Sequence, residues 1–132
     1  MQALNSLQRY SPQMLAVLRI VTALIFIAHG TQKLFGFPIP PGSGLPAMFT
    51  LGWTAAILEF VGGLAILAGF MTRPVAFILA GEMAVAYWMA HAPRSFYPIA
   101  NGGDAAILYC FIFLYLFVAG AGAWSVDNRS KA

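Results

Sequence analysis

Four apolar stretches, at about residues 13–35, 50–70, 74–92 and 104–124, take up most of this 132-residue chain. A bilayer core of about 30 Å is crossed by about 20 helical residues. In lipid every backbone N–H and C=O must be satisfied within the protein, and a chain of four such runs can do so only as helices. The expectation is an all-α integral membrane four-helix bundle forming one domain over residues 1–132. Composition agrees: 61% of residues are hydrophobic and 8% charged, against roughly 25% charged in a soluble domain. The apolar surface has to face lipid, because too few charges exist to clothe a water-exposed exterior.

The breaks between runs are chemically explicit. "GFPIPPGSGLP" and "HAPRSFYPIANGG" are rich in Pro and Gly and cannot continue a helix, and "MTRP" reads as a tight turn with Pro74 suited to the first turn of the next helix. Both termini and the tight turn then share one side, with two long loops on the other. The terminus side carries Arg9, Arg73, Arg129 and Lys131 and the loop side Lys33 and Arg94, so the basic-residue bias places both termini in the cytoplasm. Trp53, Trp88 and Trp124 fall near span ends, where amphipathic rings settle. The N-terminal "MQALNSLQRYSPQM" lacks the pattern of a removable signal peptide.

Several function classes are set aside by the same residues. The net charge of +3 comes from scattered Lys and Arg, which offers no stripe for nucleic acid. Cys110 is the one cysteine, so a CxxC redox or zinc motif is absent and no metal set is expected. Redox chemistry would need a borrowed cofactor. Gly62-Gly63 and Gly102-Gly103 lack the surroundings of a nucleotide-binding loop; the first suits close helix contact and the second a turn.

Chemistry is concentrated in a few polar residues inside the apolar runs. A charge at the bilayer centre costs at least about 2.5–3.5 kcal/mol, so such groups face the bundle interior and find partners. At 1.5 Å per residue, Arg19, Glu82 and Glu59 reach comparable depths, and a guanidinium fork can bridge two carboxylates. An Arg19, Glu59, Glu82 cluster is therefore expected, either as a static network or as a proton or ligand site. Arg19, Thr22, Phe26, His29 and Lys33 lie within an arc of about 80° on the first helix. His29 and Lys33, with His91, Asn101 and Asp104, form a second expected cluster near the loop side, where a ligand could bind. Asp104 can also cap the fourth helix. On that helix Asp104, Leu108, Phe111 and Tyr115 share a face, which suggests an aromatic-lined cavity leading inward.

Taken together, "HGTQKLFGF", "EFVGGLAILAGFMTRPVA", "GEMAVAYWMAH" and "NGGDAAILYCFIFLYLFVAGAGAWSVD" resemble the DoxX family of small bacterial membrane proteins. The resemblance implies a four-helix bundle in the bacterial inner membrane and an association with membrane redox systems. By position, Arg19, His29, Lys33, Glu59, Glu82, His91, Asn101 and Asp104 correspond to the family's recurring polar pattern, with Asp104 where a glutamate is often found. Three functions are in view. The first is a subunit or accessory of a redox system, such as a quinone-linked oxidoreductase, that binds a lipophilic molecule such as a quinone. The others are a small proton-coupled transporter and a noncatalytic assembly factor for a soluble enzyme. No intrinsic cofactor is expected, and the partners to be expected are the lipid bilayer, a redox enzyme subunit and further copies of the chain.

Overall fold

The computed structural model describes residues 1–129, and every regular element among them is helical. Lys131, counted above among the terminus-side basic residues, lies outside the described residues. A short α1 (Gln2–Asn5) and a 3-10 turn lead into α2 (Ser11–Phe35), followed by α3 (Leu51–Ala68), α4 (Thr72–Ala86), α5 (Pro98–Asn101) and α6 (Asp104–Ala119). Three helical stretches, Gln2–Phe35, Leu51–Ala68 and Thr72–Arg94, are long and apolar enough to cross a membrane. The shorter α6 has 16 residues.

Local chemistry sets these boundaries. Pro12 sits in the first turn of α2, where its missing N–H costs nothing. That helix ends at Gly36, whose N–H bonds Gln32 O while Phe37 N–H reaches Thr31 O, a Schellman termination. Thr50 caps α3, its hydroxyl accepting from Trp53 N–H. Beyond Ala86 the fourth helix continues through a wider π turn, Tyr87–His91, and a 3-10 turn to Arg94. The expected fourth span, 104–124, is cut short because α6 stops at Gly120, whose φ of 85° leaves the helical region. The following residues fold back beneath α2 and α3, with Ala123 N–H on Pro12 O and Val126 N–H on Ala68 O.

Helix α2 pairs with α3 and α4 with α6, and the two pairs meet along one apolar core. Phe26 lies edge-on to Tyr109 and Phe113, with ring centroids 5.1 and 4.9 Å apart, and Ile66, Leu79, Met83 and Leu116 close around them. Gly30 lets α2 and α3 approach: a Cβ there would sit 2.8 Å from Phe60 N. The outward faces are apolar too. Val21, Ile25, Val61, Phe77, Ile78, Leu108, Phe111 and Val118 are all exposed, a surface suited to lipid and costly in water.

Candidate functional site

Lys33, in the last turn of α2, turns its ammonium inward to α3. Its Nζ donates to both oxygens of Glu59, at 3.0 and 3.1 Å. The Glu59 side chain is 4% exposed and that of Lys33 32%, so the long apolar stem carries the charge from the edge of the protein into its interior. Glu82 reaches the same region from α4. Both of its carboxylate oxygens are buried with no N–H directed at them among the described residues; the Glu59 carboxylate lies within hydrogen-bonding reach, so the two can bond only when one of them carries a proton, and Lys33 is the nearby positive charge. The buried Tyr109 of α6 also senses Glu59. One ammonium therefore serves two carboxylates.

Arg19 belongs to a different site, which corrects the expected Arg19, Glu59, Glu82 cluster. The fully buried guanidinium uses all five of its N–H groups on backbone carbonyls. Nε donates to Ala121 O, Nη1 to Ile66 O and Leu67 O, and Nη2 to Ala123 O and Trp124 O. Ile66 stands seven residues beyond Glu59, about 10 Å along the helix. Carbonyls at the C-terminal end of α3 are strong acceptors at the negative pole of the helix, and they meet the guanidinium before any carboxylate does. Gly69, with φ of 69°, allows the chain to turn there, and a Cβ at this position would collide with Ser125 and crowd the guanidinium.

The same end of the molecule holds two further clamps. Asp127 accepts from the N–H groups of Met71 and Thr72, at 2.8 and 2.9 Å, and so caps α4 from the far end of the chain. Burial works against its ionised form, but the bonds from Thr72 and Met71 and the nearby Arg19 charge outweigh it and hold Asp127 below the usual aspartate range. Arg73 donates to Phe117 O and Val118 O at the end of α6.

The expected loop-side cluster of His29, Lys33, His91, Asn101 and Asp104 divides. His91 and Asn101 do come together: His91 Nδ1 lies 3.0 Å from Asn101 O. The Asn101 side chain, 1% exposed, donates to Tyr87 Oη and Ser95 O and accepts from Gly103 N–H. Its hydrogen bonds are satisfied, and it is Asn101 that supports the start of α6. Asp104 is exposed in the first turn of that helix without a side-chain capping bond. Lys33 has left for Glu59. His29 is exposed at the edge of the polar arc, its ring edge-on to Tyr109 at 5.8 Å, beside a notch of about 160 Å³ lined by Ala28, Gln32, Pro38 and Ile39.

The expected aromatic cavity is also corrected. Leu108, Phe111 and Tyr115 are 63, 64 and 56% exposed, so that face of α6 looks outward. Its inward face carries Ala106, Tyr109, Phe113 and Leu116, and the rings of Tyr109 and Phe113 fill the core instead of lining a slot. Tyr87, Tyr109 and Asp127 were not singled out from the sequence, and Arg73 entered only as a terminus-side basic residue. Tyr87 had a signal, four residues before His91 on one helical face.

The DoxX family profile matches residues 14–92, which covers the Arg19 clamp on α2 and the Lys33, Glu59, Glu82 centre. An uncharacterized protein of Haemophilus influenzae is 45% identical over 130 residues, covering 96% of this chain and 97% of its own. The inner membrane protein YqjF of Escherichia coli is 31% identical over 85% of this chain and 88% of its own. Another E. coli inner membrane protein, YphA, is 28% identical over 89% of this chain and 91% of its own. No solved structure matches the chain.

Proposed function

The chain belongs to the DoxX family of membrane proteins, and from that premise we propose that it is a small proton-coupled carrier of the bacterial inner membrane. In this reading α6 is the fourth span of a single bundle, both termini are cytoplasmic, and the Lys33, Glu59, Glu82 centre binds and releases the proton. The observation that carries it is the Glu82 carboxylate, whose two oxygens are buried with no N–H directed at them among the described residues and which lies against the Glu59 carboxylate, whose own lysine is engaged. Leaving a carboxylate in that state costs several kcal/mol; a proton removes the cost, and its departure restores a charge that can attract something else. The neighbouring groups that set this balance are Lys33 on α2, Glu59 on α3 and Tyr109 on α6.

Infrared difference spectra between acidic and alkaline buffer, taken on protein in lipid, test the reading. A protonated-carboxyl band that titrates in the wild type and is absent from Glu82→Gln supports it. A band unchanged by both Glu82→Gln and Glu59→Gln sinks it. A second reading, an accessory of a redox system that binds a quinone, is favoured by His29, an exposed titratable ring beside a small notch on an apolar surface. Quenching of tryptophan fluorescence by ubiquinone or menaquinone, lost in His29→Ala, would select it, and a pH-gradient-driven uptake in proteoliposomes without quinone would select the carrier.

A further inference from the structure

The Lys33, Glu59, Glu82 centre also indicates what the proton is exchanged for, an inference that rests on the carrier reading. When all three groups are ionised, one ammonium and two buried carboxylates leave a charge of −1 at the centre. Such a centre repels anions. It is also poorly suited to a hard divalent cation, which takes six or more oxygen ligands at fixed short distances, because two of the four carboxylate oxygens are engaged by Lys33. What neutralises it is a single positive charge.

The structure contains a precedent for the form of that charge. Lys33 Nζ is a primary ammonium on an alkyl stem, and it sits on Glu59 with both oxygens at 3.0–3.1 Å. Glu82, the second carboxylate of the centre, has two buried oxygens with no N–H directed at them among the described residues. It is the half of the centre that lacks the lysine's equivalent. Lys33 keeps about a third of its side chain accessible, so the centre reaches the loop-side surface along the lysine stem, while at the other end Arg19 is committed to five carbonyls.

We infer that the Glu82 side of this centre binds a small primary alkylammonium in exchange for a proton. The exchange balances: the Glu82 carboxyl loses its O–H proton to water on the loop side, the arriving ammonium donates N–H bonds to the resulting carboxylate, and the net charge of centre plus solution is unchanged. No covalent bond other than O–H is broken. Lys33 stays on Glu59 throughout and acts as a positioning residue, keeping Glu59 from taking the ligand.

Methylammonium, added in pH-matched solution to the full chain in lipid nanodiscs, is the probe. The expected result is about one proton released per cation bound, read by a pH dye in weak buffer, with loss of the carboxyl infrared band. Tetramethylammonium, which has the charge but no N–H, should bind about tenfold or more weakly, the value of one charge-assisted hydrogen bond. Glu82→Gln should abolish the proton release. A wild-type carboxyl band that persists at saturating methylammonium overturns the ammonium assignment and leaves the proton site standing, whereas the absence of any titrating band overturns the carrier reading beneath it. Equal displacement by tetramethylammonium also overturns the assignment, since charge alone would then suffice.

Discussion

Replacing Arg19 by lysine keeps the charge and most of the volume but removes the planar fork. Arg19 makes five hydrogen bonds to carbonyls from two separate stretches, Ile66 and Leu67 on α3 and Ala121, Ala123 and Trp124 beyond α6. A lysine has three N–H donors at a single point, so at least two of the five carbonyls lose their partner. Each buried unsatisfied acceptor costs about 1–3 kcal/mol. Water can reach the carbonyls beside the exposed Trp124, which favours the lower half of the summed range, about 2–4 kcal/mol. Reversible unfolding by SDS titration in mixed micelles measures this directly. The same geometry requires that Arg19 and Glu59 be energetically independent, because the guanidinium does not touch either glutamate. A double-mutant cycle of Arg19→Lys with Glu59→Gln should therefore be additive within about 0.5 kcal/mol. A loss below about 1 kcal/mol for Arg19→Lys alone, or a coupling above about 1 kcal/mol in the cycle, would refute the assignment of Arg19 to the carbonyl clamp.

Other substitutions probe the remaining contacts. Lys33→Met leaves Glu59 buried without a counter-charge and should cost toward the lower end of about 3–5 kcal/mol, since the partly accessible lysine had water as well; unfolding titration at neutral pH checks it, and Lys33→Met paired with Glu59→Gln should recover much of the loss. Gly30→Ala puts a Cβ 2.8 Å from Phe60 N and should lower stability by about 1–3 kcal/mol through separation of α2 from α3; an unchanged melting temperature would contradict that close approach. Asp127 is held below its usual range in the folded chain, so its contribution is fully present above the ordinary aspartate pKa and fades as pH falls through the lower folded value. Asp127→Asn should accordingly be less stable than wild type at pH 7, and the two unfolding curves should converge on strong acidification. A gap that stays constant down to the lowest pH would mean the carboxylate charge is irrelevant to the cap.

The three long helices were legible because their signals are redundant: apolar runs of sufficient length bounded by "GFPIPP" and "MTRP" leave little else for the chain to do. Arg19 was legible as a buried group, but its partner was not. Pairing charge with charge overlooks the unsatisfied carbonyls of a helix end, which are as available to a guanidinium as a carboxylate is. Lys33 was misplaced for a related reason, since a basic residue in the last turn of a span is expected to reach outward, whereas its stem is long enough to reach Glu59 instead. For α6 the difficulty lies in the sequence itself. "DAAILYCFIFLYLFVA" is apolar on every side, so periodicity gives no inward face, and only contact with Phe26 selects Tyr109 and Phe113 over Phe111 and Tyr115.

The two ends of the molecule carry opposite kinds of electrostatics, and this division bears on the proposed carrier function. At the terminus end the charged side chains of Arg19, Arg73 and Asp127 are matched. Arg19 fills five carbonyls, Arg73 closes α6, and Asp127 closes α4. These bonds tie the helix ends to the segment that follows α6, so relative movement of the helices there would break several at once. At the loop end the matching is incomplete. Lys33 is shared between solvent and Glu59, Glu82 has no N–H directed at it among the described residues, and the stretch that follows α4 is drawn into a π turn over Tyr87–His91, a geometry that widens the helix and is tolerated where function demands it. A chain that only needed to hold its helices together would gain by replacing Glu82 with leucine, since removing an unpaired buried carboxylate leaves no penalty behind. The expected outcome is that Glu82→Leu unfolds later than wild type in SDS while losing the titrating carboxyl band. A destabilised Glu82→Leu would show instead that the carboxylate holds the bundle together, and the division between a fixed end and an exchanging end would fall.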